Sequence, residues 1–124
     1  MSMHEQKELN LAQAVKEALS EEMQRDTKIF VLGEDVAKAG GTFKVFAGLY
    51  DEFGPERVLD TPISEAAIVG AAVGAAMTGM RPVVDVMFCD FATLAMDQIV
   101  NQAAKLRYMT GGQVSIPMVI HSSV

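Results

Sequence analysis

Glu65 is the residue best placed for proton chemistry. It follows Asp60-Thr61-Pro62-Ile63-Ser64 and opens a run, residues 66–79, made almost wholly of alanine, glycine, valine and isoleucine. Ser64 is a good N-cap, which puts Glu65 in the first turn of a helix. A helix that is apolar all round is buried, so its first acid sits at the edge of a core. The helix N-terminus favours the carboxylate anion, and burial opposes it. Glu65 therefore reads as a capping acid or as a poised proton-transfer group. Glu34 and Asp35 form a second candidate. They follow the apolar run Ile29-Phe30-Val31-Leu32 and Gly33. Acids just past the carboxyl end of a buried parallel strand sit where open α/β sheets bind ligands. The same two residues would also make an ordinary solvated turn.

Other reactive types lack the context their chemistry needs. Cys89 has no basic neighbour to lower its pKa and reads as a small buried hydrophobe. With one cysteine, no intrachain disulfide can form. His4 and His121 are far apart, and no His/Cys cluster has metal spacing. Ser64 lacks the G-x-S-x-G elbow. The loop at Gly40-Gly41 matches neither phosphate-binding glycine pattern. The nine methionines scatter through predicted helices and strands and read as core filling.

The elements that must carry these residues are legible. The 124 residues suffice for one modest core; half are hydrophobic and 21% charged, so the chain is not disordered. A net charge of −6 argues against nucleic acid and anionic membrane surfaces. No apolar run is long or pure enough to span a bilayer, and the N-terminus lacks an apolar signal core, so a cytoplasmic location is expected. Residues 1–8 read as a disordered tail. Helical spacing of Leu11, Ala14, Val15, Ala18, Leu19 and Met23 predicts a helix over 9–25, with Asn10 as N-cap. Strands are predicted at 29–32, 57–60, 82–88 and 116–120. Further helices are predicted at 46–53, at 65–78 ended by Gly79, and at 92–108. Gly70 and Gly74, four apart, predict a close approach to a neighbouring element. Strictly alternating helices and strands give an α/β layer structure with a mostly parallel sheet flanked by helices. The last strand has no covering helix, as in part of a larger domain.

Four segments carry a resemblance: Leu32-Gly33-Glu34-Asp35-Val36, Arg57-Val58-Leu59-Asp60-Thr61-Pro62-Ile63-Ser64-Glu65, Gly79-Met80-Arg81-Pro82 and Asp97-Gln98-Ile99-Val100-Asn101-Gln102-Ala103-Ala104-Lys105. In this order they resemble the N-terminal part of the beta subunit of thiamine-diphosphate-dependent 2-oxo acid dehydrogenases, the pyruvate, branched-chain and acetoin types. The resemblance runs over nearly all of 9–120. Ile63-Ser64-Glu65-Ala66-Ala67 and the segment 104–112 are most similar to the acetoin type. The short loop at Gly40-Gly41 is more similar to the other two.

The resemblance implies a partial thiamine-diphosphate-binding domain, the transketolase-like pyrimidine domain, over 9–124. It implies that Glu65 hydrogen-bonds N1′ of the aminopyrimidine, where sharing a proton favours the imino form that removes the thiazolium C2 proton. Ile63, Met87 and Phe91 match positions that contact or line that ring, with Phe91 stacking on it; plain core packing is the alternative for Met87 and Phe91. Glu34 matches an acid in a water-filled passage between two cofactor sites, with a role in proton communication. An alpha subunit, in an alpha2-beta2 assembly, would hold the diphosphate and Mg²⁺ through a Gly-Asp-Gly motif that is absent from this chain. The implied activity is decarboxylation or C–C cleavage with acyl transfer to lipoyl groups. The family's C-terminal half, which binds the dihydrolipoyl acyltransferase core, is missing, as is a histidine that His121 does not match. The chain then reads as a fragment, a split-gene product or a remnant, and the rival function is a non-catalytic module that only binds an alpha-type chain.

Overall fold

The computed structural model describes residues 8–124. All of the expected tail except Glu8 lies outside the described residues. Four strands, β1 (Ile29–Gly33), β2 (Val58–Asp60), β3 (Arg81–Phe88) and β4 (Val119–Ser123), form one all-parallel sheet in the order β2-β1-β3-β4. Helix α1 (Leu11–Arg25) precedes β1, α2 (Leu49–Phe53) links β1 to β2, and α3 (Glu65–Met77) links β2 to β3.

Two cores follow from the period-two alternation of the central strands. Val31 and Val83 face α1 and α2, in a cluster with Met23, Phe46, Leu49 and Val58. Leu32 and Val84 face α3, in a cluster with Ile68, Val69, Ala72, Val73 and Ala95. The register pairs Val31 with Val83 and Leu32 with Val84, so each face is built from neighbours. Right-handed crossovers explain the two faces. The chain travels one way across the sheet from β1 to β2 and the other way from β2 to β3. Successive linking helices must then lie on opposite sides.

Local chemistry fixes the joints. Asn10 caps α1 in a reciprocal box: Gln13 N–H donates to Asn10 Oδ1 at 2.9 Å, and Asn10 N–H donates to Gln13 Oε1 at 3.0 Å. Arg57 ties β2 to the end of α1 and the start of β1. Its Nε donates to Ile29 O at 2.6 Å, and its Nη2 donates to Met23 O and Asp26 O. Gly33 is required by a close approach: a Cβ there would lie 2.8 Å from Asp85 O and 3.0 Å from both Asp85 Cβ and Val36 Cγ1. Since backbone cannot yield cheaply, Gly33→Ala is expected to cost about 1–3 kcal/mol. A lowered urea midpoint with an unchanged slope would show it.

Several sequence expectations are corrected. Helix α3 starts and stops as predicted, with Ser64 extended at the N-cap and Gly79 at φ +96, but Ser64 makes no side-chain capping bond. Nor is α3 buried all round: Ala67, Ala71 and Gly74 are exposed. Alanine and glycine cost little to expose, so a run of them does not mark a buried face. Gly70 does meet a neighbour, Gln98, whereas a Cβ at Gly74 would meet open space. The helix predicted over 46–53 is confined to α2. The fourth strand begins three residues later than predicted, after Pro117.

The long helix predicted over 92–108 is replaced by three pieces: a 3-10 segment, Cys89–Ala95, a wide π turn, Gln98–Ala103, and a short helix α4, Leu106–Met109. Asn101 Nδ2 donates to Asp97 Oδ1, and Lys105 Nζ donates to Asn101 Oδ1, both at 2.7 Å, along the outside of the π turn. Cys89 opens the 3-10 segment and is exposed, not buried. Among the described residues no helix is long and apolar enough to cross a membrane.

Candidate functional site

In an open parallel sheet, ligands bind beyond the carboxyl ends of the strands, where the chain's direction of travel across the sheet reverses. Here that point is the crevice between β1 and β3, because β1 leads to β2 on one side while β3 lies on the other. Glu34 follows the last residue of β1. Met87 lies near the end of β3, and Phe91 in the segment that follows it. Ile63 and Glu65 lie in the turn and first helical position after β2. These five candidates therefore fall at one end of the sheet.

Glu65 is half-buried, and its carboxylate makes no hydrogen bond or ion pair among the described residues. It stands in the first turn of α3 with no side-chain hydrogen bond to the helix among the described residues. Glu34 is also half-buried and without a side-chain partner among the described residues. Beside the head of α3 lies a cavity of about 350 Å³, lined by Leu32, Thr61, Pro62, Ser64, Ala67, Ile68 and Ala71. Its Thr61 hydroxyl is buried with no hydrogen-bond partner among the described residues. Buried polar groups are normally satisfied, so this end of the sheet retains unused hydrogen-bonding capacity.

Met87 has φ +58, in the left-handed region, at the register shift that separates the Asp85–His121 and Phe88–Ser123 pairs. This is a β-bulge, a device that re-aims side chains next to functional sites. Beyond it Phe88 and Phe91 meet edge to face, centroids 6.0 Å apart. Phe91 is 38% exposed, so it is not simply core. Helix α3 packs against both β3 and the 3-10 segment that carries Phe91, which brings the element of Glu65 and the element of Phe91 together. Ile63 is 74% exposed and touches neither core cluster.

Sequence reasoning missed three features of this end. Phe88 links Phe43 to Phe91 in a chain of three rings. The bulge at Met87 has no residue-type signal, since methionine is not a residue that favours positive φ. Asp85, on β3, is buried with Oδ1 accepting from His121 Nδ1 at 2.8 Å. Nothing in the local pattern of Val84-Asp85-Val86 distinguishes an inward acid from an outward one until the sheet has two covered faces.

Comparison with known proteins is consistent with this geometry. The family described as "Transketolase, pyrimidine binding domain" matches residues 7–124. The 2-oxoisovalerate dehydrogenase subunit beta of Bacillus subtilis is 51% identical over 109 residues, covering 88% of this chain and 33% of that protein. The pyruvate dehydrogenase E1 component subunit beta of Rickettsia bellii is 53% identical over 112 residues, 90% of this chain and 34% of that protein. A mitochondrial pyruvate dehydrogenase E1 component subunit beta-2 of Oryza sativa is 50% identical over 113 residues, 91% and 30% respectively. The chain thus spans about a third of the length of the curated relatives it matches. With its parallel sheet, its covered faces and its acids at the carboxyl end, the chain belongs to the family of transketolase-type pyrimidine-binding domains.

Proposed function

We propose that this chain forms the cofactor-activating part of the beta subunit of a thiamine-diphosphate-dependent 2-oxo acid or acetoin dehydrogenase. The observation that carries the proposal is Glu65, a half-buried carboxylate without an internal partner, at the same sheet end as Met87 and Phe91. Thiamine diphosphate, when bound, supplies the carbon nucleophile and electron sink for cleaving the bond next to a carbonyl. Glu65 would hold a proton at N1′ of its aminopyrimidine. Phe91 would face that ring and fix its plane, with Met87 packed beside it on the bulge and Ile63 as a further contact. The residues fit such a ring: one free acid, an accessible aromatic face and apolar walls. Glu34, at the end of β1, is assigned to proton communication between cofactor sites.

The diphosphate and Mg²⁺ are assigned to an alpha subunit, since this chain has no Gly-Asp-Gly. Exposed Leu94, Met96, Val100, Tyr108 and Met109 lie along 94–109. Apolar surface of this kind marks an interaction site, and it supports docking of the alpha chain in an alpha2-beta2 assembly. Acyl transfer to lipoyl groups, and contact with a dihydrolipoyl acyltransferase core, are assigned to the larger part of the beta subunit found in the relatives. The same exposed surface favours a second reading, a non-catalytic module that only associates.

Deuterium exchange at the cofactor's thiazolium C2, in the assembly of this beta chain with an alpha chain, tests the proposal. Exchange faster than for free cofactor supports it. Association without acceleration supports the non-catalytic module.

A further inference from the structure

Phe43 presents an unexplained cost. It is 67% exposed and has φ +54 and ψ +20, and Lys44 follows at φ +60. A large apolar side chain in water, on a left-handed backbone, is unfavourable on both counts. The loop nevertheless holds it there. Gly41 N–H donates to Asp35 O at 2.8 Å, Phe46 N–H donates to Gly40 O at 2.9 Å, and Lys44 Nζ donates to Ala39 O at 2.7 Å. Gly41, at φ +70, has no room for a Cβ, which would lie 2.5 Å from Phe46 Cδ2. What the conformation achieves is a ring contact. Phe43 meets Phe88 edge to face, with centroids 6.5 Å apart and planes at 88°, and Phe88 meets Phe91 in the same way at 6.0 Å and 83°.

We infer that Phe43 is a positioning residue: through Phe88 it sets the plane of the Phe91 ring. Edge-to-face contact constrains a ring's rotation as well as its place. The three rings bridge the crevice at which ligands bind, since Phe43 belongs to the loop after β1 while Phe88 and Phe91 belong to β3 and the segment after it. Strain at Phe43 and at Met87 is then spent on one object, the orientation of Phe91. The inference rests on the reading of Phe91 as the face for the aminopyrimidine.

Aromatic NMR of the chain, labelled at phenylalanine, tests ring motion, and titration of its assembly with an alpha chain by thiamine diphosphate and Mg²⁺ tests affinity. The expected result for Phe43→Leu is a backbone amide spectrum unchanged away from the lost ring, with the Phe91 ring flipping about tenfold faster and cofactor affinity of the assembly lowered about threefold to tenfold. Phe43→Tyr keeps a ring and should restore both to within about twofold. Unchanged Phe91 dynamics in Phe43→Leu, or loss of the folded spectrum, overturns the positioning role. If Phe43→Leu leaves affinity unchanged while Phe91→Leu weakens it, the inference fails alone. If neither substitution affects affinity in that assembly, the assignment of Phe91 fails and the inference with it.

Discussion

Replacing Glu65 by glutamine is expected to lower turnover of the alpha–beta assembly by about 10²–10⁴-fold, the range of a lost general acid–base group. Glutamine has the same length and volume as glutamate and still hydrogen-bonds, but it cannot exchange a proton at a ring nitrogen. The fold should survive. Glu65 makes no internal contact whose loss would matter among the described residues, and its favourable position at the head of α3 contributes only about 0.3–1 kcal/mol. Association with the alpha chain should be unaltered, because the substitution adds no bulk and exposes nothing new. The measurements are steady-state turnover and sedimentation of the same preparation. Loss of turnover with intact assembly is the signature of a proton-transfer role. Turnover within threefold of the unsubstituted enzyme would return Glu65 to the status of a first-turn acid. Glu65→Asp separates charge from reach: it keeps the carboxylate but draws it back by one methylene, and activity between the two is expected.

Much of this architecture was open to reading from residue types, and the reason is physical. Ile29-Phe30-Val31-Leu32 and Pro82-Val83-Val84 are continuous apolar runs because a central parallel strand is covered on both faces, and that constraint leaves a mark on every residue. Asn10 and Gln13 carry their capping chemistry in their own side chains. Placing the strand ends put Glu34 at the carboxyl end of the sheet, whereas Met87 and Phe91 were singled out only by the family resemblance. What failed to show was decided by long-range contact. Alanines on α3 are tolerated on either face, so Ala67 and Ala71 gave no warning of exposure. Residues 92–108 have helical spacing throughout, yet the π turn from Gln98 and the 3-10 turn from Cys89 break the path. Spacing measures only which residues share a face, not how the backbone's hydrogen bonds are closed. Left-handed Phe43 and Met87 were invisible for a similar reason: their conformations are imposed by neighbours, against their own preference.

Removing His121 should produce a large stability loss, although it stands on the outer strand of the four. Asp85 is 1% exposed, and among the described residues its Oδ1 has one partner, His121 Nδ1, at 2.8 Å. Oδ2 is buried with no hydrogen-bond partner among the described residues. Phe46 closes the pair edge-on, its ring centroid 5.4 Å from that of the imidazole. In His121→Leu the carboxylate keeps its burial and loses its donor, the situation that costs about 3–5 kcal/mol when one member of a buried pair is removed. For a small domain unfolding at about 1–3 kcal/mol per molar urea, that moves the midpoint down by at least about 1 M. The double change Asp85→Val with His121→Leu should recover most of the loss, because an apolar pair of similar volume needs no donor. A single-variant loss under about 1 kcal/mol would mean that β4 peels back and lets water reach Asp85, and the double variant would then show no recovery. The pair's position gives the test its interest. Asp60, Gly33, Asp85 and His121 stand in one row across the four strands. Gly33 is bare, so that Asp85 can pack against it, and Asp60 accepts the Ala37 N–H at 2.8 Å. The polar row therefore pins both the loop after β1 and the edge strand at the end of the sheet where Glu65 and Phe91 must be held.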